Sequence, residues 1–179
     1  MEFKFSHIEG LVEIFPKIFT DERGYFLESY NATAFAKQGL DLTFVQDNHS
    51  FSHKGVMRGL HLQKKPFEQG KLIRVISGKV IDVVVDIRKN SKTFGQTASF
   101  ILDDKKHNML YVPEGFAHGF ATFEDSIFVY KCTKGYSKEA ESGILWNDPQ
   151  LNIDWQVENP LVSDKDKMLP TFEELMKTI

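Results

Sequence analysis

The segment KLIRVISGKVIDVVVDIR, Lys71 to Arg88, limits more than any other what this chain can fold into. It reads as two strands about a turn at Ser77-Gly78, and in the second strand Ile81, Val83, Val85 and Ile87 share one face. Asp82, Asp86 and Arg88 point the other way, where strand carboxylates face either a site or solvent. Similar short runs follow the same habit: GYFLESY, GVMRGLHLQ, TASFILD, NMLYVPEGF and IFVYKCT, separated by Gly, Pro, Asn and Asp clusters. With no long linker, low-complexity stretch or repeat period, the pattern predicts an all-β antiparallel sandwich or barrel. Helix signals are few. NATAFAKQG opens on Asn31 as N-cap and stops at Gly39, and PTFEELMKTI offers Thr171 with Glu174 three positions on, a capping-box spacing.

At 179 residues the chain is long enough for one substantial core and short for two, so a single domain over 1–179 is expected. Its 16 Phe imply a core filled by rings, with Trp146 and Trp155 among them. Lys+Arg 22 against Asp+Glu 25 gives a net charge of −3, which provides no global attraction to nucleic acid or an anionic membrane. The single Cys132 cannot close an internal disulfide, as suits a reducing compartment or simple indifference to redox. Glu2 stands where a basic leader region would begin, and no run approaches a membrane span. The expectation is a soluble cytoplasmic protein.

Polar groups crowd one stretch, FVQDNHSFSHKGVMRGLHLQ, beside a run that otherwise reads as buried sheet. Alternation puts Gly59, His61 and Gln63 on one face and Leu60 and Leu62 on the other; with the leucines packed inward between sheets, His61 faces a lumen or cleft. A separate segment, YVPEGFAHGF, presents His118 after a Pro-Glu-Gly turn. A lone strand histidine is more often structural than chemical. Two from distant strands, both flanked by glycines that permit close approach and accompanied by Lys71, Arg58 and Tyr130, make a stronger site signal. His7, His49, His53 and His107 sit in polar or loop contexts and read as solvated.

The spacing of Gly55, His61, Gln63 and Glu68, followed by Pro113, Gly115 and His118, is similar to the two cupin motifs, whose usual metal ligands are three His and a Glu. Gln63 stands where the second His belongs. A neutral amide is a poor ligand for a transition ion, so no bound metal is expected.

Taken in order, TDERGYFLE, FVQDNHSFSHKGVMRGLHLQ, EQGKLIRVISGKVIDVVVDIRKNSKTFG, VPEGFAHGF, YKCTKGYSKEAESGILWNDPQLNIDW and LVSDKD resemble the dTDP-4-dehydrorhamnose 3,5-epimerases, from about the first strand to Asp166. The resemblance implies a cupin-type jelly roll with a few short peripheral helices, working as a homodimer without metal or cofactor. It also implies a substrate, dTDP-4-dehydro-6-deoxyglucose, whose carbons 3 and 5 are both α to a ketone. His61 would be the base, Asp166 its partner, Tyr130 the acid on the opposite face and Lys71 the cation that meets the enolate oxygen. By the same match Arg23, Lys165 and Arg58 correspond to diphosphate and sugar contacts. Glu28, Gln46, Asp47, Asn48 and Glu141 fall at nucleotide or sugar contacts, Tyr136 at a ring stacked on thymine, and His118 beside the reacting sugar.

Strict alternation places Arg58 opposite His61, whereas the resemblance uses both. A bulge at Gly59, or a site shared across the dimer, would reconcile them. The Trp155-Gln156 pair replaces a frequent Trp-Pro, and Met57 a common Leu, with consequences for local packing only. The nearest rival activity inverts a single carbon of a related dTDP-4-keto-6-deoxyhexose; a non-catalytic cupin that binds a sugar or nucleotide would have no need of His61, Asp166, Tyr130 and Lys71 together.

Overall fold

A computed structural model describes residues 1–179. In chain order the elements are β1 (Glu2–Phe5), β2 (Val12–Phe15), β3 (Ile18–Asp21), β4 (Gly24–Leu27), α1 (Ala32–Ala36), β5 (Gln46–Ser52), β6 (Val56–Gln63), β7 (Lys71–Ser77), β8 (Lys79–Asp86) and β9 (Thr97–Asp103). They continue with β10 (Met109–Val112), β11 (Phe116–Thr122), β12 (Ser126–Cys132), β13 (Glu141–Gly143), β14 (Leu161–Val162), α2 (Asp164–Lys167) and α3 (Phe172–Met176). One sheet has the order β1-β2-β10-β7-β12-β5; the other runs β13-β6-β11-β8-β9, with β14 parallel to β6. Neither closes on itself, so the architecture is an open cupin-like sandwich.

The turn at Gly78 shows how the sequence builds two layers rather than one. Strands β7 and β8 flank it yet lie in different sheets, because the chain crosses the sandwich there instead of folding back as a hairpin. Gly78 has φ +90°, and a Cβ would lie 2.4 Å from the Asp125 carbonyl oxygen, so only glycine turns this corner without strain. From β5 to β8, and again from β9 to β13, every connection changes sheet.

Period-two patterning then sorts the side chains into layers. Between the sheets lie Ile73, Val75, Val80, Val84, Leu110, Phe116, Phe120 and Phe128. Ile81, Val83, Val85 and Ile87 do share a face, but it is the outer one, covered by the C-terminal segment with Trp155, Val162, Phe172 and Leu175. Leu60 and Leu62 belong to that outer layer too, which corrects their assignment to the space between the sheets. The inner face of β6 is thereby left to His61. On the far side, α1 and the loop after it cover the other sheet with Phe35, Tyr30, Leu42 and Phe44.

The expected caps are present: Asn31 accepts from Ala34 N at 3.0 Å, and Thr171 and Glu174 form a reciprocal capping box. Asp86 is fully buried and accepts from Arg88 Nε and Nη2, Ser91 Oγ and Thr93 Oγ1 at 2.6–2.9 Å. Burial opposes its ionisation, but this ring of donors prevails and lowers the carboxyl to about 2. It ties down the loop between β8 and β9. No helix is long and apolar enough to cross a membrane.

Candidate active site

The site begins with an irregularity in β6. Along the β6–β11 ladder, His118 faces His61 and Phe120 faces Arg58, so Gly59 and Leu60 stand opposite Gly119 alone. This is the β-bulge that brings Arg58 and His61 onto one face of one strand, both lining a cavity of about 270 Å³. Gly59 has φ +128°, and a Cβ there would be 2.5 Å from Gly119 Cα. Any side chain would push the two strands apart.

The same bulge releases the Gly59 amide from the ladder, and it donates to Asp166 Oδ2 at 3.3 Å. Asp166 comes from α2, a single turn whose N-cap Ser163 accepts from Asp166 N at 3.1 Å. Its Oδ1 meets His61 Nε2 at 2.8 Å. Burial works against the Asp166 charge, but the hydrogen bonds from His61, Gly59 and Ser163 outweigh it and hold the carboxyl below its ordinary range. An ionised partner accepts the Nε2 proton, leaving Nδ1 as the basic nitrogen. The carboxylate is 6% exposed and the imidazole 37%, so the pair presents a reactive ring from a shielded support.

The opposing wall is β7 and β12. Tyr130 lines the same cavity, and burial raises its phenol above the usual value, so it carries its proton at neutral pH. Lys71 Nζ lies 5.7 Å from the Tyr130 ring centroid. Lys71 is half-buried, and desolvation lowers its pKa, with Cys132 and Asp82 opposing the fall. Base and phenol thus stand on facing sheets. A second, larger cavity of about 640 Å³ opens at the end of the sandwich among Lys64, Lys65, Glu68 and Arg88 and meets the first at Lys71, but no histidine lines it.

His118 bonds Asp82 Oδ2 through Nε2 at 2.8 Å. Both are buried, which settles the choice left open for Asp82 and Asp86: neither faces solvent. Gln63 accepts from Ser137 N at 3.0 Å with its amide oxygen, and no three His, Cys, Asp or Glu side chains converge as a metal site.

Around the mouth, Gln46 Oε1 accepts from Tyr136 N at 2.8 Å, and Gln46 Nε2 donates to Asn48 Oδ1 at 2.9 Å. Tyr136 Oη donates to Glu141 at 2.9 Å, and Lys165 bridges to the same carboxylate at 2.6 Å. Arg58 Nε donates to Ser52 Oγ at 3.1 Å. Three residues with sequence-derived binding roles lie elsewhere. Asp47 alternates to the outer face and pairs with Lys131 at 2.9 Å. Arg23 pairs with Asp21 in the β3–β4 hairpin, and Glu28 accepts from Asn31. Sequence reasoning left Asp82 undecided and passed over Ser163, although Ser163 two positions before Lys165 carries a capping residue's signature.

A cupin-like sandwich with a His–Asp pair on one wall, facing a phenol and a half-buried ammonium on the other, defines an enzyme of the acid–base class that moves protons on a bound small molecule. The comparisons narrow the class. The chain belongs to the dTDP-4-dehydrorhamnose 3,5-epimerase family, whose model matches residues 6–174. The dTDP-4-dehydrorhamnose 3,5-epimerase of Shigella flexneri is 54% identical over 153 residues, 84% of each chain. The crystal structure of RmlC from Legionella pneumophila, a dTDP-6-deoxy-D-glucose-3,5-epimerase in complex with dTDP-4-keto-L-rhamnose, is 43% identical and superposes with a TM-score of 0.92 over 96% of this chain and 93% of that one. ChmJ from Streptomyces bikiniensis, a 3'-monoepimerase in complex with dTDP-quinovose, is 32% identical with a TM-score of 0.91, covering 97% and 89%.

Proposed function

We propose that this enzyme inverts carbons 3 and 5 of dTDP-4-dehydro-6-deoxy-D-glucose, giving dTDP-4-dehydro-β-L-rhamnose for L-rhamnose synthesis. The observation that carries the reading is the 2.8 Å His61–Asp166 pair facing Tyr130 and Lys71 across one cavity. His61 removes the hydrogen on a carbon next to the ketone; Asp166 stabilises the imidazolium that results. Lys71 meets the negative charge that moves to the ketone oxygen, and Tyr130 returns a proton to the other face of the carbon, which completes inversion. General acid–base action contributes roughly 10²–10⁴ in rate and a preorganised oxyanion donor about 10²–10³. Together they reach the lower range of ordinary enzymes, about 10⁶. The chemistry needs no cofactor. A cavity of about 270 Å³ suits the sugar ring, with the nucleotide lying outward over Gln46, Asn48, Tyr136, Glu141 and Lys165.

The working unit in this reading is a homodimer of single-domain 1–179 subunits in the cytoplasm. Phe19, Tyr25 and Phe26 of the β3–β4 hairpin are half or more exposed, an apolar arm without cover in its own subunit. Arg23 sits at its tip and Glu28 just beyond its last strand, so a hairpin reaching the neighbouring subunit would bring both to that subunit's nucleotide.

Incubation with the dTDP-4-keto-6-deoxy-glucose in deuterium oxide tests the reaction: NMR should show deuterium entering carbons 3 and 5 with both centres inverted. Absence of exchange would overturn the enzyme reading. The 32% likeness to a 3'-monoepimerase favours one rival; exchange and inversion at carbon 3 alone would establish it.

A further inference from the structure

Two His–Asp pairs stand side by side, one on β6 and α2, the other on β11 and β8, and the surroundings of their carboxyl groups differ. Each oxygen of Asp166 has a donor: His61 Nε2 at 2.8 Å for Oδ1 and the Gly59 amide at 3.3 Å for Oδ2. Asp82 is fully buried and makes one contact, between Oδ2 and His118 Nε2 at 2.8 Å. Its Oδ1 is the only sealed side-chain polar atom in the protein without a hydrogen-bond partner. A carboxylate spreads its charge over both oxygens, so a sealed oxygen with no donor leaves part of a buried charge uncompensated. A carboxylic acid leaves only a carbonyl oxygen there. The single contact that Asp82 makes is then the place for its single proton.

We propose that Asp82 is a positioning residue, a buried carboxylic acid whose Oδ2–H donates to His118 Nε2 and so places the imidazole proton on Nδ1, where the ring is an uncharged hydrogen-bond donor to an oxygen of the bound sugar. A neutral imidazole carries one N–H, so a ring that accepts at Nε2 must hold its proton at Nδ1. That nitrogen has no partner in the protein. Because Asp82 Oδ1 is the one polar side-chain atom both sealed and unpaired, His118 Nδ1 is reached from the cavity that its ring lines. The two pairs therefore have opposite polarity. His61 donates from Nε2 and keeps Nδ1 bare as a base; His118 accepts at Nε2 and has no bare nitrogen toward the cavity with which to remove a proton. The sugar oxygen belongs to the proposed reaction, on which this role rests, while the proton placement stands without it.

The titratable groups around the pair agree with an uncharged unit. His61 and Arg58 on β6, Lys71 on β7 and Tyr130 on β12 line the cavity with His118, and Asp166 stands behind His61. Burial pushes the His118 imidazole down toward its neutral form, and Lys71 and His61 push it further. Burial drives Asp82 up toward the acid; the contact with His118 and the charge of Lys71 work the other way, and burial outweighs them. Phe128, stacked on the His118 ring at 6.2 Å between centroids, adds an apolar neighbour that solvates no charge. A carboxyl kept neutral by its site is a competent hydrogen-bond donor, and a neutral imidazole can polarise a carbonyl oxygen.

Nitrogen-15 NMR of the full chain with labelled histidine, free of substrate, reads the proton positions; the His118 signals are those missing from His118→Asn. At neutral pH His118 should carry its proton on Nδ1 with Nε2 bare, and His61 the reverse. A His118 ring protonated at Nε2 alone, or at both nitrogens, would overturn the inference. Substitutions give a second reading, because the side-chain amide of Asn reproduces the shape, donor and carbonyl oxygen of the neutral acid. Asp82→Leu, which has no donor, should release the tautomer and lower kcat about fivefold, the effect of one neutral hydrogen bond. Asp82→Asn should restore the Nδ1–H tautomer and most of that activity. An Asn variant as impaired as the Leu variant, with His118 protonated at Nε2, would mark Asp82 as an acceptor and defeat the proposal. If Asp82→Leu does not fold, the spectra of the unaltered protein and of Asp82→Asn decide the matter. These spectra need no turnover, so a protein inert toward the sugar nucleotide would refute the proposed reaction while the proton placement is judged by itself.

Discussion

His61 and His118 face each other across the β6–β11 ladder, and each ring is bonded through Nε2 to an aspartate oxygen at 2.8 Å. By bond length the two pairs are the same. They differ in what surrounds them: the imidazole of the first is 37% exposed, that of the second 8%. Asp166 is held below its ordinary pKa by three donors, while burial drives Asp82 above its own. One pair is built to accept a charge in the open mouth of a cavity. The other resists charge inside the wall. Pairing alone does not make a histidine a base; a supported carboxylate and access to substrate do.

The comparison breaks most visibly if the two histidines are interchangeable in effect. His61→Ala should lower kcat by about 10³–10⁴ while dTDP binding, measured by calorimetry, persists. Asp166→Asn should follow, lowering kcat by about 10²–10³ in steady-state assays, because an amide neither fixes the ring tautomer nor stabilises the imidazolium. His118→Asn should cost stability instead, about 1–3 kcal/mol by denaturant unfolding, since it unpairs a buried Asp82; a kcat loss equal to that of His61→Ala would erase the distinction. Ser163→Ala should cost about 1 kcal/mol through the lost α2 cap and loosen Asp166 alone.

The smallest effect is one of sign. Asp166 has a lowered folded pKa, so its stabilising contribution is full above about pH 4 and fades as pH falls through the folded value. Asp82 is raised, so its contribution is full below about pH 4 and is lost as pH climbs. Thermal melts across pH should therefore show the deficit of Asp166→Asn shrinking toward acid, and that of Asp82→Asn shrinking toward neutrality.

Much of this was legible in the chain. The alternation of Ile81, Val83, Val85 and Ile87 identified a strand with two unlike faces, and the caps at Asn31 and Thr171 needed only local spacing. His61 and His118 could be paired as a site because each stands within two residues of a glycine. Which face looked inward was not legible, because an apolar stripe buries equally well against a second sheet or against a covering segment; hence the reversal at Leu60 and Leu62. The sheet change at Gly78 and the burial of Asp82 depend on partners distant in the chain, His118 lying 36 residues from Asp82, beyond any period-two argument. Asp166 emerged from a family resemblance rather than from its own surroundings, since α2 is a single turn with too few residues to show a pattern. Arg23 and Glu28 came the same way, and their own subunit gives them only local partners.

The extra residue at Gly59 works like a shim in the phase of the strand. Upstream of it, alternation aims Arg58 at the cavity; downstream, the count restarts so that His61 aims there as well. Keep both residues but flatten the bulge into regular pleating and the two side chains can no longer share a wall: whichever keeps its direction, the other turns into the greasy layer beneath the C-terminal segment. The directions of Arg58 and His61 are thus tied to a single local kink, which a side chain at Gly59 would disturb for both at once.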